Sequence, residues 1–392
     1  MKFTRRVEGL EAEGAYAVLA RAQALEAQGR EILHLEIGQP DFPTFAHISL
    51  SGINAITSGK TRYNPPAGIP ALRVAIARDA GERRGISVLP SQVVVGPGAK
   101  PGLFFPTLAI VEPGDEVIYP DPGFPTYAAM IAVAGGVPIP VPLSEKKNFS
   151  FDLEAFDARL SPRTRLVIVN SPANPTGGVM PLEDLEHIAA AAREHNFWIM
   201  SDEIYARLSY EGPVPSIAAL PEMAERTVIV DGFSKTYAMT GWRLGYAIMP
   251  VELAERVELL LTHSIGCTAT FTQAAGVDAL TGDQRMVDEV VDEYRRRRDR
   301  IVDGLNAIPG VHCQRPQGAF YVFPNISKTG ISSKELAQRL LDEAGVAVLA
   351  GTDFGAGGEG YLRLCYATSP EVIENALERV ANFLNSYRQA VG

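Results

Sequence analysis

Seven short apolar, β-rich runs recur through the middle of this chain: VVVG at 93–96, EVIY at 116–119, VPIPV at 137–141, LVIVN at 166–170, FWIMSD at 197–202, TVIVDG at 227–232 and LGYAIM at 244–249. Strands that are apolar on both faces must be covered on both sides. Several gaps between the runs suit helices, as in EDLEHIAAAAREH from Glu183 to His195. This alternation predicts an α/β fold with a mostly parallel, seven-stranded sheet in a large domain. The last two runs lie so close together that one of these strands is expected to be antiparallel.

Beyond Thr281 the pattern changes. DQRMVDEVVDEYRRRRDRIVDGLNAI reads as one long amphipathic helix. The Glu and Asp interleaved around Arg295–Arg298 mark that run as a solvated face rather than a binding patch. Shorter strands and two helices follow, and the N-terminal region reads as a helix plus the strand EILHLEIG. The predicted organisation is a large domain over 48–281 and a smaller α+β domain over 282–392, with the segment 1–47 packing on the smaller one. A length of 392 residues suits two domains.

Composition narrows the function classes. With 46% apolar and 21% charged residues the chain can bury an ample core without disulfides or metal. A net charge of −10 argues against gripping nucleic acid or an anionic membrane. Cys267, Cys313 and Cys365 are far apart and read as reduced thiols of a cytoplasmic protein. No signal-peptide core is visible, and the uncharged stretch Pro122–Ser144 is broken by four prolines and Gly135-Gly136, so no membrane span is expected. SGKT at 58–61 lacks the upstream glycine of a phosphate loop, GPGAKPG at 96–102 has its third glycine one place late, and the histidines form no metal-binding motif. No G-x-S-x-G elbow is present either.

Residues of special chemistry cluster at the C-terminal ends of the predicted strands, the edge where open α/β sheets bind ligands. GPGAK opens a helix and offers free N–H groups to an anion, notably at Ala99 and Lys100. Arg243, eight residues after Lys235, can add a charge-assisted fork to a phosphate. Asp202 can face a pyridine nitrogen and keep it protonated, and Lys235 can form a Schiff base and then move a proton. Tyr205 and Asn174 can hydrogen-bond a ring oxygen, and Phe124 can stack on the ring. Taken singly, Asp202 reads as a helix cap, Lys235 as a surface lysine, Arg243 as an ion-pair residue and Phe124 as core. Their joint occurrence, each at a strand end, points to pyridoxal phosphate.

With SKTYAMTGWRLGY, NPTGG and SDEIY at these distances, the chain resembles the class I/II aminotransferases, which are fold-type I pyridoxal-phosphate enzymes, from LEIGQPDFPT to YLRLCYATS. The resemblance implies a homodimer with active sites at the interface. It implies that Lys235 carries the cofactor, that Asp202 is the pyridinium partner, that Tyr205 and Asn174 bind the 3-oxygen, and that Ser234 and Arg243 contact the phosphate. Tyr63, in YNPPAGIPALR, looks like the tyrosine that reaches the neighbouring subunit's phosphate. Arg363 looks like the arginine that forks onto the substrate α-carboxylate, with Gly38 as a backbone contact to it. Departures are Gly232 where many relatives have serine, Pro101-Gly102 where Gln-Ala is usual, a kink expected at Pro106, and Phe124 in place of tryptophan.

The implied reaction is a ping-pong transamination between an α-amino acid and a 2-oxo acid. Two alternatives share the residues: β- or γ-elimination or oxidative chemistry on the same scaffold, and a non-enzymatic ligand sensor, which would need an added DNA-binding module. The segment 262–273 contains His263 but no Arg or Lys, which favours uncharged side chains over aspartate, unless Lys100 or a partner's arginine intervenes.

Overall fold

The computed structural model describes residues 3–10 and 12–391. Met1, Lys2, Glu11 and Gly392, within the predicted segments 1–47 and 282–392, lie outside the described residues. The strands in chain order are β1 (Leu33–His34), β2 (Val93–Gly96), β3 (Glu116–Asp121), β4 (Val137–Ser144), β5 (Ser150–Phe151), β6 (Thr164–Asn170), β7 (Trp198–Asp202), β8 (Thr227–Gly232), β9 (Gly245–Ile248), β10 (Tyr321–Val322), β11 (Val346–Ala347), β12 (Leu349–Ala350) and β13 (Leu362–Cys365).

The main sheet has the order β2-β9-β8-β7-β6-β3-β4-β5. Its β8, β7, β6, β3 and β4 are mutually parallel, and β9 runs antiparallel between β2 and β8. The seven predicted runs are seven of these eight strands. The eighth, β5, is a two-residue antiparallel extension of β4, too short to carry a periodic signal. Alternate residues of one strand feed different cores. Val228 and Val230 pack with Leu103, Tyr127 and Met130, whereas Ile229 packs with Leu72, Ile76 and Phe233 on the opposite face. Helices thus cover both faces, as the all-apolar strands require.

Two smaller sheets lie outside it: β10-β13-β12, antiparallel, and β1 paired in parallel with β11. The N-terminal residues Ala22, Leu25 and Ile32 pack with Leu341 and Ala347, which explains why so short a strand as β1 holds its register.

The long predicted helix spans Arg285–Asn306, but its arginine run corrects the sequence reading. Arg297 and Arg298 are 6% and 4% exposed rather than solvated. Arg297 donates to Asp41 at 2.8 Å and to Glu293 at 2.9 Å, and its guanidinium lies 5.0 Å from the Phe42 ring centroid. Arg298 donates to Glu211 and to Asp299 and covers the Tyr210 ring. A four-residue run spans more than one turn of helix, so part of it must turn inward, and acids from distant segments meet it there.

Candidate active site

The sheet edge where β2, β6, β7 and β8 end and β9 begins carries most of the predicted residues. Gly96, Gly245 and Gly232 stand side by side across β2, β9 and β8. A Cβ on Gly245 would run into the Gly98–Ala99 backbone, and one on Gly98, at φ +88°, into the Arg243 guanidinium. The helix Lys100–Ile110 starts on this turn with Ala99 as its N-cap. Arg243 reaches the Pro97 carbonyl at 3.4 Å, and Ser234 is buried two residues beyond β8. Free helix-start N–H groups beside a guanidinium make a cradle for an anion. The departures fit this geometry. Pro101 sits in the first helical turn, where its missing N–H is harmless. A Cβ on Gly102 would lie 3.1 Å from that of Ala247, and one on Gly232 3.1 Å from the Gly245 Cα, so both glycines permit close approach.

Next along the edge, Asp202 is buried and accepts a hydrogen bond from the Tyr127 hydroxyl at 2.7 Å. Burial pushes its carboxyl up to about 6, with Asp231 and Glu203 acting in the same direction against the Tyr127 hydrogen bond. A buried acid of this kind asks for a cationic partner. Lys235 donates to the Gly38 carbonyl at 2.6 Å, and its ammonium lies 5.9 Å from the Tyr205 ring and 5.7 Å from the Phe320 ring. Burial, reinforced by the charges of Arg363, Arg243 and Lys100, brings its pKa down to about 8. Tyr205 shares a 2.8 Å hydrogen bond with the Tyr321 hydroxyl, which fills the space where a Cβ on Gly38 would stand. Asn170, at the end of β6, accepts from the Asn174 N–H at 2.9 Å and so fixes the NPTGG turn.

Arg363, on β13, is 4% exposed. Its guanidinium lies between two rings, 4.6 Å from Tyr321 and 5.0 Å from Phe354. It donates to Asn174 Oδ1 at 3.2 Å and to the Glu36 carbonyl, while its Nε has no partner among the described residues. A planar, charged donor set with an unused N–H suits a carboxylate.

These contacts bring Gly38, Asn174, Tyr205, Lys235 and Arg363 into one cluster. Phe124 packs edge-on against Tyr127 at 5.7 Å and lies under the Lys100 ammonium at 5.3 Å. Lys100 is itself ion-paired with Glu13 from the N-terminal segment. Tyr63 is not part of the cluster: it is 98% exposed, on a loop pinned by Asn64 to the Thr268 carbonyl. Sequence reasoning missed Tyr127, Tyr321, Phe354 and Glu36. Tyr127 had a signal, the one phenol in the apolar helix TYAAMIAVA, one turn after Phe124. The others come from distant segments and had none. Among the described residues no group of three or more His, Cys, Asp or Glu could hold a metal, and no helix is long and apolar enough to cross a membrane.

Comparison with known proteins is consistent across the chain. The sequence model of the family "Aminotransferase class I and II" matches residues 30–380. The chain is 42% identical over 384 residues to the aspartate/prephenate aminotransferase of Thermus thermophilus, covering 97% of this chain and 98% of that protein. It is 40% identical over 363 residues to the aromatic-amino-acid aminotransferase 2 of Thermococcus litoralis, covering 91% and 93%. The structure of the aspartate aminotransferase from Thermus thermophilus with maleate superposes with a TM-score of 0.92 at 42% identity, covering 97% of this chain and 99% of that one.

Proposed function

The chain belongs to the class I and II aminotransferases and moves amino groups between amino and 2-oxo acids, and from that premise we propose which of its residues do so. The family is dependent on pyridoxal phosphate. Two observations favour that cofactor here: a buried acid, Asp202, raised to about 6 and held by one hydroxyl, and an amine, Lys235, lowered to about 8. The glycine-lined turn at Gly98 with Arg243 beside it suits the phosphate. When bound, the group supplies an aldehyde that condenses with amines and a protonated ring that accepts the electrons of a breaking α C–H bond.

The chain's own residues do the rest. The helix start at Ala99 and Lys100, with Ser234 and Arg243, holds the phosphate. Asp202, oriented by Tyr127, would keep negative charge at the ring nitrogen, Tyr205 and Asn174 would hydrogen-bond the ring oxygen, and Phe124 would pack against the ring. Arg363, rigid between Tyr321 and Phe354, takes the substrate α-carboxylate, with Gly38 alongside. Lys235, unprotonated above about pH 8, removes and returns the proton. Fixing the carboxylate fixes which bond at the α-carbon is presented for cleavage, which favours loss of the α proton over loss of the carboxylate.

The side-chain end of the substrate runs against the first reading of the sequence. Lys100 lies beside Phe124 and is paired, among the described residues, with Glu13, which is part-exposed and can yield it to a substrate's distal carboxylate. Several relatives are named for aspartate. We therefore assign dicarboxylic amino acids as substrates. Tyr63 and the exposed Leu50, Ile53 and Ile56 of the helix Ala46–Thr57 suit a homodimer in which Tyr63 reaches the other subunit's phosphate.

The observation that carries this reading is the depressed amine of Lys235 held within one cluster with Arg363. The experiment is borohydride reduction followed by peptide mapping, with a panel of amino donors. A pyridoxyl label on Lys235 and faster turnover of aspartate than of phenylalanine are expected. A label elsewhere refutes the lysine assignment, and an unchanged aspartate preference in Lys100→Met refutes the role of Lys100.

A further inference from the structure

Beneath the strand ends, on the sheet face opposite Asp202, lies a charge network that the reading above does not use. Glu203 follows Asp202 directly, and its N–H continues the β7–β8 ladder by donating to the Val230 carbonyl at 2.8 Å. Asp231 is the penultimate residue of β8, four residues before Lys235. Both acids are buried, at 3% and 4% exposure, and successive strand residues point to opposite faces, so both face away from Asp202. They face the C-terminus of the helix Pro70–Arg84.

Arg84 bridges them. Its Nε donates to Glu203 at 2.6 Å and its Nη2 to Asp231 at 2.8 Å, in a side chain only 3% exposed. Glu203 also accepts from Ser201 at 2.8 Å and from Ser216 at 2.6 Å. Asp231 accepts from the Gly232 N–H at 2.7 Å, from Tyr246 at 3.1 Å and from Arg83 at 3.1 Å. Arg83 is shared with Asp79, which also lies 4.0 Å from Arg207. Among the described residues, Arg84 is the one cation that hydrogen-bonds both acids.

We propose that Arg84 is a positioning residue of the active site: by clamping Glu203 to Asp231 it ties together the two strand ends that present Asp202 and Lys235, and its charge lets Asp202 stand ionised beside two other buried acids. Without it, Glu203 would lose its cation and Asp231 would keep Arg83 alone, and the excess negative charge in this dry layer would both loosen β7 from β8 and raise the proton affinity of all three acids, Asp202 among them. The inference rests on the assignment of Asp202 to a ring nitrogen.

The test is equilibrium binding to cofactor-freed protein, from pH 5 to 8, of pyridoxal 5′-phosphate and of its analogue with carbon in place of the ring nitrogen. The native compound should be preferred once Asp202 is ionised, so the preference sets in near pH 6 in the wild type. Arg84→Met should move that onset up by about one unit, as for one lost charge in a buried site. Arg84→Lys should restore most of it, and Glu203→Gln, which removes an opposing acid, should move it down. If the wild type shows no preference, the Asp202 assignment fails and takes the inference with it. If the wild type shows it and Arg84→Met weakens both compounds equally with the onset unmoved, Arg84 is only structural and the inference alone is overturned. Should Arg84→Met not fold, Glu203→Gln decides: an unmoved or raised onset overturns the proposal.

Discussion

The two halves of the proposed active site offer two anions different kinds of partner. The cofactor half lies at the edge of the eight-stranded sheet, and its anion cradle is largely main chain: three adjacent glycines and a helix start, with the Arg243 guanidinium beside them and the strand ends braced by Arg84. The substrate half lies on the small sheet β10-β13-β12 and is made of side chains: one guanidinium between two rings, pinned by Asn174 and the Glu36 carbonyl. A binding surface of backbone suits a group that stays, and a side-chain fork suits one that changes each turnover. If this division is real, substitutions on one side should leave the other untouched.

The largest effect falls on the substrate side. Arg363→Ala removes a buried charged contact and should weaken amino-acid binding by roughly 2–5 kcal/mol. Cofactor affinity, measured by dialysis, should hold; equal loss of both would erase the division. Asp202→Asn is the counterpart. Because the folded carboxyl is raised to about 6, the cofactor-free protein loses stability as pH climbs from about 4 to 6, and asparagine lifts that penalty. Thermal unfolding at pH 7 should show a gain of up to about 3 kcal/mol, while cofactor binding weakens.

A smaller effect should follow Phe354→Leu. Losing one face of the sandwich costs about 0.5–2 kcal/mol of carboxylate binding, visible as a raised KM with kcat little changed. A drop in kcat alone would mean that Phe354 acts on the chemistry instead. The smallest is a matter of pH. Capture of pyridoxal phosphate by cofactor-free protein should speed up with rising pH and level off above about 8, since Lys235 is lowered to that value. A rate still climbing at pH 10 would leave Lys235 an ordinary lysine.

The same division governs what could be read from the sequence. The cofactor half was legible because each part is local: an apolar run, then its special residue at the strand end, as with Asp202 after FWIMS and Lys235 after TVIVDGFS. The substrate half was legible only through resemblance, because Arg363, Tyr321 and Phe354 lie on strands of two to four residues or on a short turn, too brief for a period. Arg297 was misjudged for a related reason. Which side of a helix faces inward depends on what it meets, and Asp41 comes from 256 residues away. Tyr205 and Asn174 were singled out in the sequence, but not that Tyr205 is engaged by Tyr321 and Asn174 by Arg363.

The contact of Gly245 with the Gly98–Ala99 turn carries a consequence for how the chain tolerates change. Two stretches of polypeptide some 150 residues apart touch there with no atom to spare, so the smallest alteration that chemistry allows, one methyl group, is already too large. In a saturation library, position 245 should therefore accept nothing, while the exposed Gly241 a few residues upstream, with open space around it, accepts almost anything.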